Sequence, residues 1–274
     1  MPADLAGQPH ALRGRASGRR AQSRELIIDA IAALKGEFEQ VMAHFNASPA
    51  LRMLAERRVT LAHYKSILRE IFHYSREDPQ IQALAAVRFR GTDREFVKMF
   101  FKHATMEIGH DRMALDDLRA LGEDVSSIPA SRPLPSTMAL ISFPFFQIEH
   151  REPVGYLGYL YFLEFMPTHH GAAYGAALGS LGVPESAMTF LAEHMAVDVG
   201  HNKLMEQYLR GLVHDERDLE AVVYALRVTG ELYAGMLLGA IEHAERPRQF
   251  GRVAAEEVLA PAARDGARAR VPTS

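Results

Sequence analysis

The stretch His194-Met195-Ala196-Val197-Asp198-Val199-Gly200-His201 sets two imidazoles and a carboxylate at positions i, i+4 and i+7 of a segment whose periodicity reads as helix. At about 100° per residue these positions fall within roughly 60° of arc, so the three groups project from one face over two turns. Converging imidazole and carboxylate suit iron, manganese or zinc. The plainer reading is an amphipathic helix whose polar stripe holds two histidines, since such spacings arise by chance on solvated faces. The rest of the chain decides between the two.

The 274 residues are 48% hydrophobic and 24% charged, ordinary for a globular chain with one large domain or two small ones. A net charge of −3 offers no general attraction to nucleic acid or to an anionic membrane, so the expected partner is a small molecule. The chain has no cysteine, which excludes disulfides, thiolate metal sites, iron–sulfur clusters and cysteine nucleophiles, and is compatible with the cytoplasmic location expected here. The longest apolar stretch, Tyr156 to Met166, is interrupted by Glu164, so no membrane span is expected. Residues 1–24 carry Arg13, Arg15, Arg19, Arg20 and Arg24 without an apolar stretch and read as a disordered tail rather than a signal peptide, as 246–274 read as a flexible one.

Between the tails the pattern is helical throughout. Ile27, Ile28, Ile31, Leu34, Phe38 and Val41 recur at three- and four-residue steps, predicting a helix over 24–46 behind a Ser23 cap. Further helices are expected over 49–57, over 60–77 with Thr60 as cap, over a short piece after Asp78-Pro79, and over 93–121, closed by Gly122. Residues 122–135, with Pro129, Pro133 and Pro135, form a long irregular stretch of the kind that covers an opening. Helices follow over 136–150, 153–181, 184–212 with Pro184 in the first turn, and 215–243. No period-two alternation and no internal repeat is present. The fold class is all-α, a single domain over 25–245 with about seven helices.

His103-x3-Glu107-x2-His110 repeats the spacing of the opening stretch with a different order of groups. Glu107 and His110 form the Glu-x2-His pair by which helical bundles offer a carboxylate and an imidazole to paired metals, a weak signal when alone. Glu164 stands in Tyr156-Leu-Gly-Tyr-Leu-Tyr-Phe-Leu-Glu164-Phe-Met-Pro167, where an unpartnered buried carboxylate would cost several kcal/mol unless neutralised, paired or metal-bound. The plainer reading pairs it with Arg69 or Arg151. Pro167 removes a helix hydrogen bond and can kink the chain near Glu164. Together Glu107, His110, Glu164, His194, Asp198 and His201 supply three carboxylates and three imidazoles. Three carboxylates offset most of the charge of two divalent ions and can bridge them, whereas a mononuclear zinc hydrolase needs fewer ligands.

These residues resemble those of the haem-oxygenase-like diiron oxidases, iron-containing redox enzymes of the TenA/PqqC-like, haem-oxygenase-like fold. The match spans roughly 25–245. It implies a seven-helix bundle in which two Fe2+ ions are held by Glu107 and His110 from one core helix, Glu164 from another, and His194, Asp198 and His201 from a third. The same resemblance implies O2 as co-substrate, a homodimer, and a small carboxylic or amino acid undergoing oxidative decarboxylation, N-oxygenation or C–C cleavage. Manganese in place of iron stays open. Glu70 and His73 fall on a helix where the family can direct groups towards substrate or metal, and Tyr161, one turn before Glu164, could hydrogen-bond it. His103 reads as a further ligand, a partner behind a ligand, or a helix-face histidine, the last preferred. Thiaminase-type members use a cysteine that this chain lacks. Haem oxygenases use a histidine on the first helix, where only His44 stands, and ferritin-like proteins carry two Glu-x2-His motifs. Two alternatives remain: a cofactorless PqqC-like oxidase and a non-enzymatic metal-binding helical protein.

Overall fold

The computed structural model describes residues 31–89, 94–196 and 198–246, leaving aside the side chains at 198, 199, 201 and 202. Among these residues the regular elements are helices and no strand is present. In chain order they are α1 (31–46), α2 (Pro49–Ala55), α3 (Leu61–Ser75), α4 (Asp78–Arg88), α5 (Arg94–Glu107), α6 (His110–Ala120), α7 (Pro135–His150), α8 (Tyr156–Ser180), α9 (Thr189–Ala196), α10 (Asp198–Leu212) and α11 (Glu216–Glu245). The Ser23 cap and both tails lie outside the described residues.

This is more than the seven helices expected, because the short pieces α2 and α4 stand as helices of their own and the predicted segments depart from the pattern at two places. The segment 93–121 breaks at Gly109, whose φ of 110° is left-handed and ends α5 before α6 begins. The segment 184–212 opens as a short 3-10 turn at Glu185–Ala187 instead of a helix from Pro184. Helix α9 starts only at Thr189, where Asp117 of α6 accepts hydrogen bonds from Thr189 N at 2.8 Å and Phe190 N at 3.1 Å. The Thr60 cap forms as expected, and reciprocally: its Oγ1 accepts from His63 N while its own N–H donates to His63 Nδ1.

Helix α11 is the long central element and packs on α3, α7 and α8. It alone among the described helices is long and apolar enough to cross a membrane, but here its buried face, with Val222, Leu226, Tyr233 and Met236, forms part of the core. Phe45 of α1 meets Phe162 of α8 and Tyr233 of α11 edge-on, at centroid distances of 5.5 and 6.0 Å. The irregular stretch 122–135 lies along α3 rather than over an opening. Glu123 pairs with Lys65 and Arg69, Ser131 Oγ lies 3.0 Å from His73 Nε2, and Val125 and Ile128 are buried.

The α8–α11 contact is close enough to be limited by backbone. A Cβ placed on Gly158 would stand 2.0 Å from the Val222 carbonyl oxygen and 2.6 Å from Leu226 N. Gly158→Ala should therefore lower unfolding free energy by about 1–3 kcal/mol or more in urea titration. Gly179→Ala in the same helix, where a Cβ meets nothing within 4 Å, should leave it unchanged or raise it by up to about 1 kcal/mol.

Candidate metal centre

Four of the predicted ligands converge where α5, α6, α8 and α9 meet. Glu107 is the last residue of α5 and His110 the first of α6, so the pair straddles the Gly109 break, with His110 Nδ1 2.7 Å from Glu107 Oε2. The other Glu107 oxygen, Oε1, faces His103 Nε2 at 3.4 Å, and His103 Nε2 also lies 3.1 Å from Glu164 Oε1. The two arginines expected beside Glu164 are engaged elsewhere: Arg69 binds Glu123, and Arg151 lies over the Phe146 ring. From α9, the His194 ring stands edge-on to His110 at 4.8 Å between centroids. His194 Nδ1 donates to the Phe190 carbonyl at 2.7 Å, which leaves Nε2 with the lone pair that a metal takes.

Two overlapping sets of donor atoms result. Glu107, His110 and His194 offer ligand atoms all within 4.8 Å of one another, and so do His103, Glu107 and Glu164. Glu107 belongs to both, with one oxygen facing His103 and the other facing His110. A donor set of imidazole nitrogen and carboxylate oxygen, without thiolate, fits iron or manganese. His103 is not a surface histidine. It is 1% exposed and stacks over Tyr208 at 6.3 Å.

The remaining predicted residues are placed as follows. The backbones of Asp198 and His201 lie in α10, and their side chains are outside the described residues. Glu70 accepts from Leu134 N and from Thr137 Oγ1 at the start of α7, and His73 meets Ser131, so both are engaged away from the cluster. Tyr161 stacks on Phe165 and meets Phe38 of α1 edge-on.

Two carboxylates escape the sequence reading. Asp117, fully buried, holds the first turn of α9 through Thr189 N, Thr189 Oγ1 and Phe190 N. It stands seven residues after His110 on the same face of α6, and that spacing is the signal that could have found it. Asp78, read as punctuation before Pro79, accepts from Tyr159 Oη at 2.9 Å, and nothing in the pattern marks it.

Electrostatics follow from this crowding. Burial opposes a charged His103, but its contacts with Glu107 and Glu164 outweigh burial and lift its pKa to about 9. Burial likewise opposes the Glu107 carboxylate, and His103 and His110 hold it far below the usual range. His110 is raised, chiefly by its bond to Glu107, and His194 is lowered, chiefly by burial. Burial and then the Glu107 charge push Asp78 well above the carboxylate range.

A family pattern described as iron-containing redox enzyme matches residues 65–234, more than half of the chain. The chain belongs to this family. Solved structures agree on the fold. A domain of unknown function with a haem-oxygenase-like fold from Shewanella denitrificans superposes with a TM-score of 0.73 at 24% identity, over 78% of this chain and 92% of that one. A TenA homologue from Pyrococcus furiosus gives 0.62 at 13% identity, over 77% and 99%. A CADD-like protein of unknown function from Nostoc punctiforme gives 0.61 at 14% identity, over 78% and 97%. No curated protein matches the chain.

In this iron-containing redox enzyme the cluster should be visible in the stability of the metal-free chain. His103 has a folded pKa of about 9 against the 6.5 of a free imidazole, so its contribution is full below pH 6.5 and is lost as pH rises towards 9. Unfolding free energy measured across that window should fall in the metal-free wild type, and the fall should be much smaller in His103→Gln.

Proposed function

We propose that the chain is a non-haem diiron oxidoreductase that uses O2 on a small carboxylic or amino acid. The observation that carries the reading is the sharing of Glu107 between two donor sets, since a carboxylate with one oxygen aimed at each set is what bridges a pair of ions. His110 and His194 would serve one iron, and His103 and Glu164 the other. Asp198 and His201 are proposed as further ligands from α10. Two ferrous ions held this way supply the electrons and open coordination positions that O2 chemistry requires.

The chain's own residues do the rest. A cavity of about 150 Å³ opens on the cluster and is walled mainly by Leu, Ile, Tyr and Phe side chains of α2, α3, α8 and α11. That is the size at which apolar protein cavities take up a benzene-sized molecule. Glu107, Glu164 and His194 lie in its wall, so a bound molecule reaches the cluster without crossing bulk water. The apolar remainder excludes water from the reacting end and orients an apolar chain. No lysine or arginine lines the cavity among the described residues, so a substrate carboxylate would be received at the metal end rather than by a basic side chain.

Anaerobic ferrous titration should saturate near two irons per chain, and a plateau at zero would end the reading. Because Glu107 is shared, Glu107→Gln should disturb both positions and bring the plateau to one or below with helicity retained. A plateau still at two would remove Glu107 as the bridge. Tight iron binding with no oxygen uptake across a panel of carboxylic and amino acids would instead favour the non-enzymatic metal-binding protein.

A further inference from the structure

The cavity carries one acidic group that the metal reading does not use. Asp78 begins α4 and lines the cavity together with Gln82 one helical turn on, within range of the Glu107 and Glu164 charges. Asp78 is half-buried. Tyr159 donates its one hydrogen bond of good geometry, and no lysine or arginine shares the cavity wall among the described residues. Gln82 is 1% exposed and its Oε1 accepts from Tyr156 Oη at 2.9 Å. Its buried Nε2 and the buried Tyr208 hydroxyl lie within loose hydrogen-bonding range of each other, without the geometry of a well-formed bond. A half-buried acid and a loosely held amide, set in an otherwise mostly apolar cavity, leave polar groups that a ligand can complete.

We propose that Asp78 receives a protonated amine of the substrate, so that the substrate is an apolar-chained primary amine or α-amino acid rather than a plain fatty acid. The inference rests on the cavity being the substrate site. A carboxylate already oriented by Tyr159 presents its free oxygen to an ammonium group. The rings of Tyr74, Tyr156, Tyr159 and Tyr233, which line the same part of the cavity, suit the neighbourhood of a cation. The apolar chain then runs along the Leu and Ile walls. For an amino acid, the carboxylate would lie towards Glu107 and Glu164, where the metal end can take it.

The test is calorimetric binding to the full chain, metal-free and also ferrous-loaded without oxygen, of hexylamine against hexanol and of norleucine against hexanoate. In the wild type each amine should bind at least about tenfold tighter than its amine-free counterpart, and Asp78→Asn should remove that preference while leaving hexanol binding unchanged. The tighter of hexylamine and norleucine tells whether the amine stands alone or in an amino acid. Hexanol or hexanoate binding as tightly as its amine partner in the wild type would overturn the proposal. So would an amine preference that survives Asp78→Asn, or a loss of bound iron in that variant, which would make Asp78 a metal ligand. Should Asp78→Asn not fold, the wild-type comparison decides alone. The metal-free arm reads Asp78 independently of iron, so failure of the diiron reading, seen in the ferrous titration, is separable from failure here.

Discussion

The constraint on which the rest of the structure depends is the buried carboxylate of Glu107 held between two imidazoles. A carboxylate withdrawn from water is costly unless each oxygen finds a partner, and here Oε1 faces His103 while Oε2 faces His110. Those partners arrive from opposite sides of a helix break. His103 precedes Glu107 by one turn within α5, whereas His110 opens α6 beyond Gly109. A residue with a side chain would be strained at φ 110°, so the left-handed glycine lets α5 end at its acid and α6 start at its imidazole.

Two packing contacts bring the other donors to that carboxylate. Glu164 arrives on α8, an almost wholly apolar helix whose approach to α11 is set at Gly158 by contact with backbone. His194 arrives on α9, a helix that is tied to α6 at its first turn by Asp117. That clamp fixes where the helix begins, and so where His194 stands one turn on. Asp117 and His110 share one face of α6, which makes the His110–His194 spacing a property of a single helix and its clamp.

Much of this was legible in the sequence, for a physical reason. Side chains at i and i+4 of a helix share a face whatever the fold, so the spacing of His103 and Glu107 is enough to group them, whereas His110 joins them across the Gly109 break rather than by helical periodicity. Glu164 announced itself by the cost of a lone acid in an apolar run. What periodicity does not carry is which helices meet. Asp78 looked like punctuation because Asp-Pro is a turn and helix-start signal, and its place beside Tyr159 depends on α4 packing near α8. His103 read as a helix-face histidine because its burial depends on Glu164 arriving from another helix. The joins at Gly109 and Thr189 were missed because a glycine within a helical pattern is often tolerated, and because the Asp117 bonds that start α9 are long-range.

The cluster and the cavity share a wall, and that places opposing demands on the same residues. An apolar surround strengthens every charge–charge contact at Glu107, Glu164 and His103, but it also raises the cost of keeping acids ionised when no cation is near. In the metal-free chain His103 carries part of that compensation by holding a proton, which is why its pKa rises despite burial. A divalent ion between Glu107 and Glu164 would replace the proton with a larger charge at the same place, so metal uptake and proton release are coupled through His103. Asp78 shares the cavity and lies within range of the Glu107, Glu164 and His103 charges, and burial followed by the Glu107 charge pushes its carboxyl well above the usual range. A cation on the ligand would offset that repulsion, which ties the proposed choice of substrate to the electrostatics that assemble the centre.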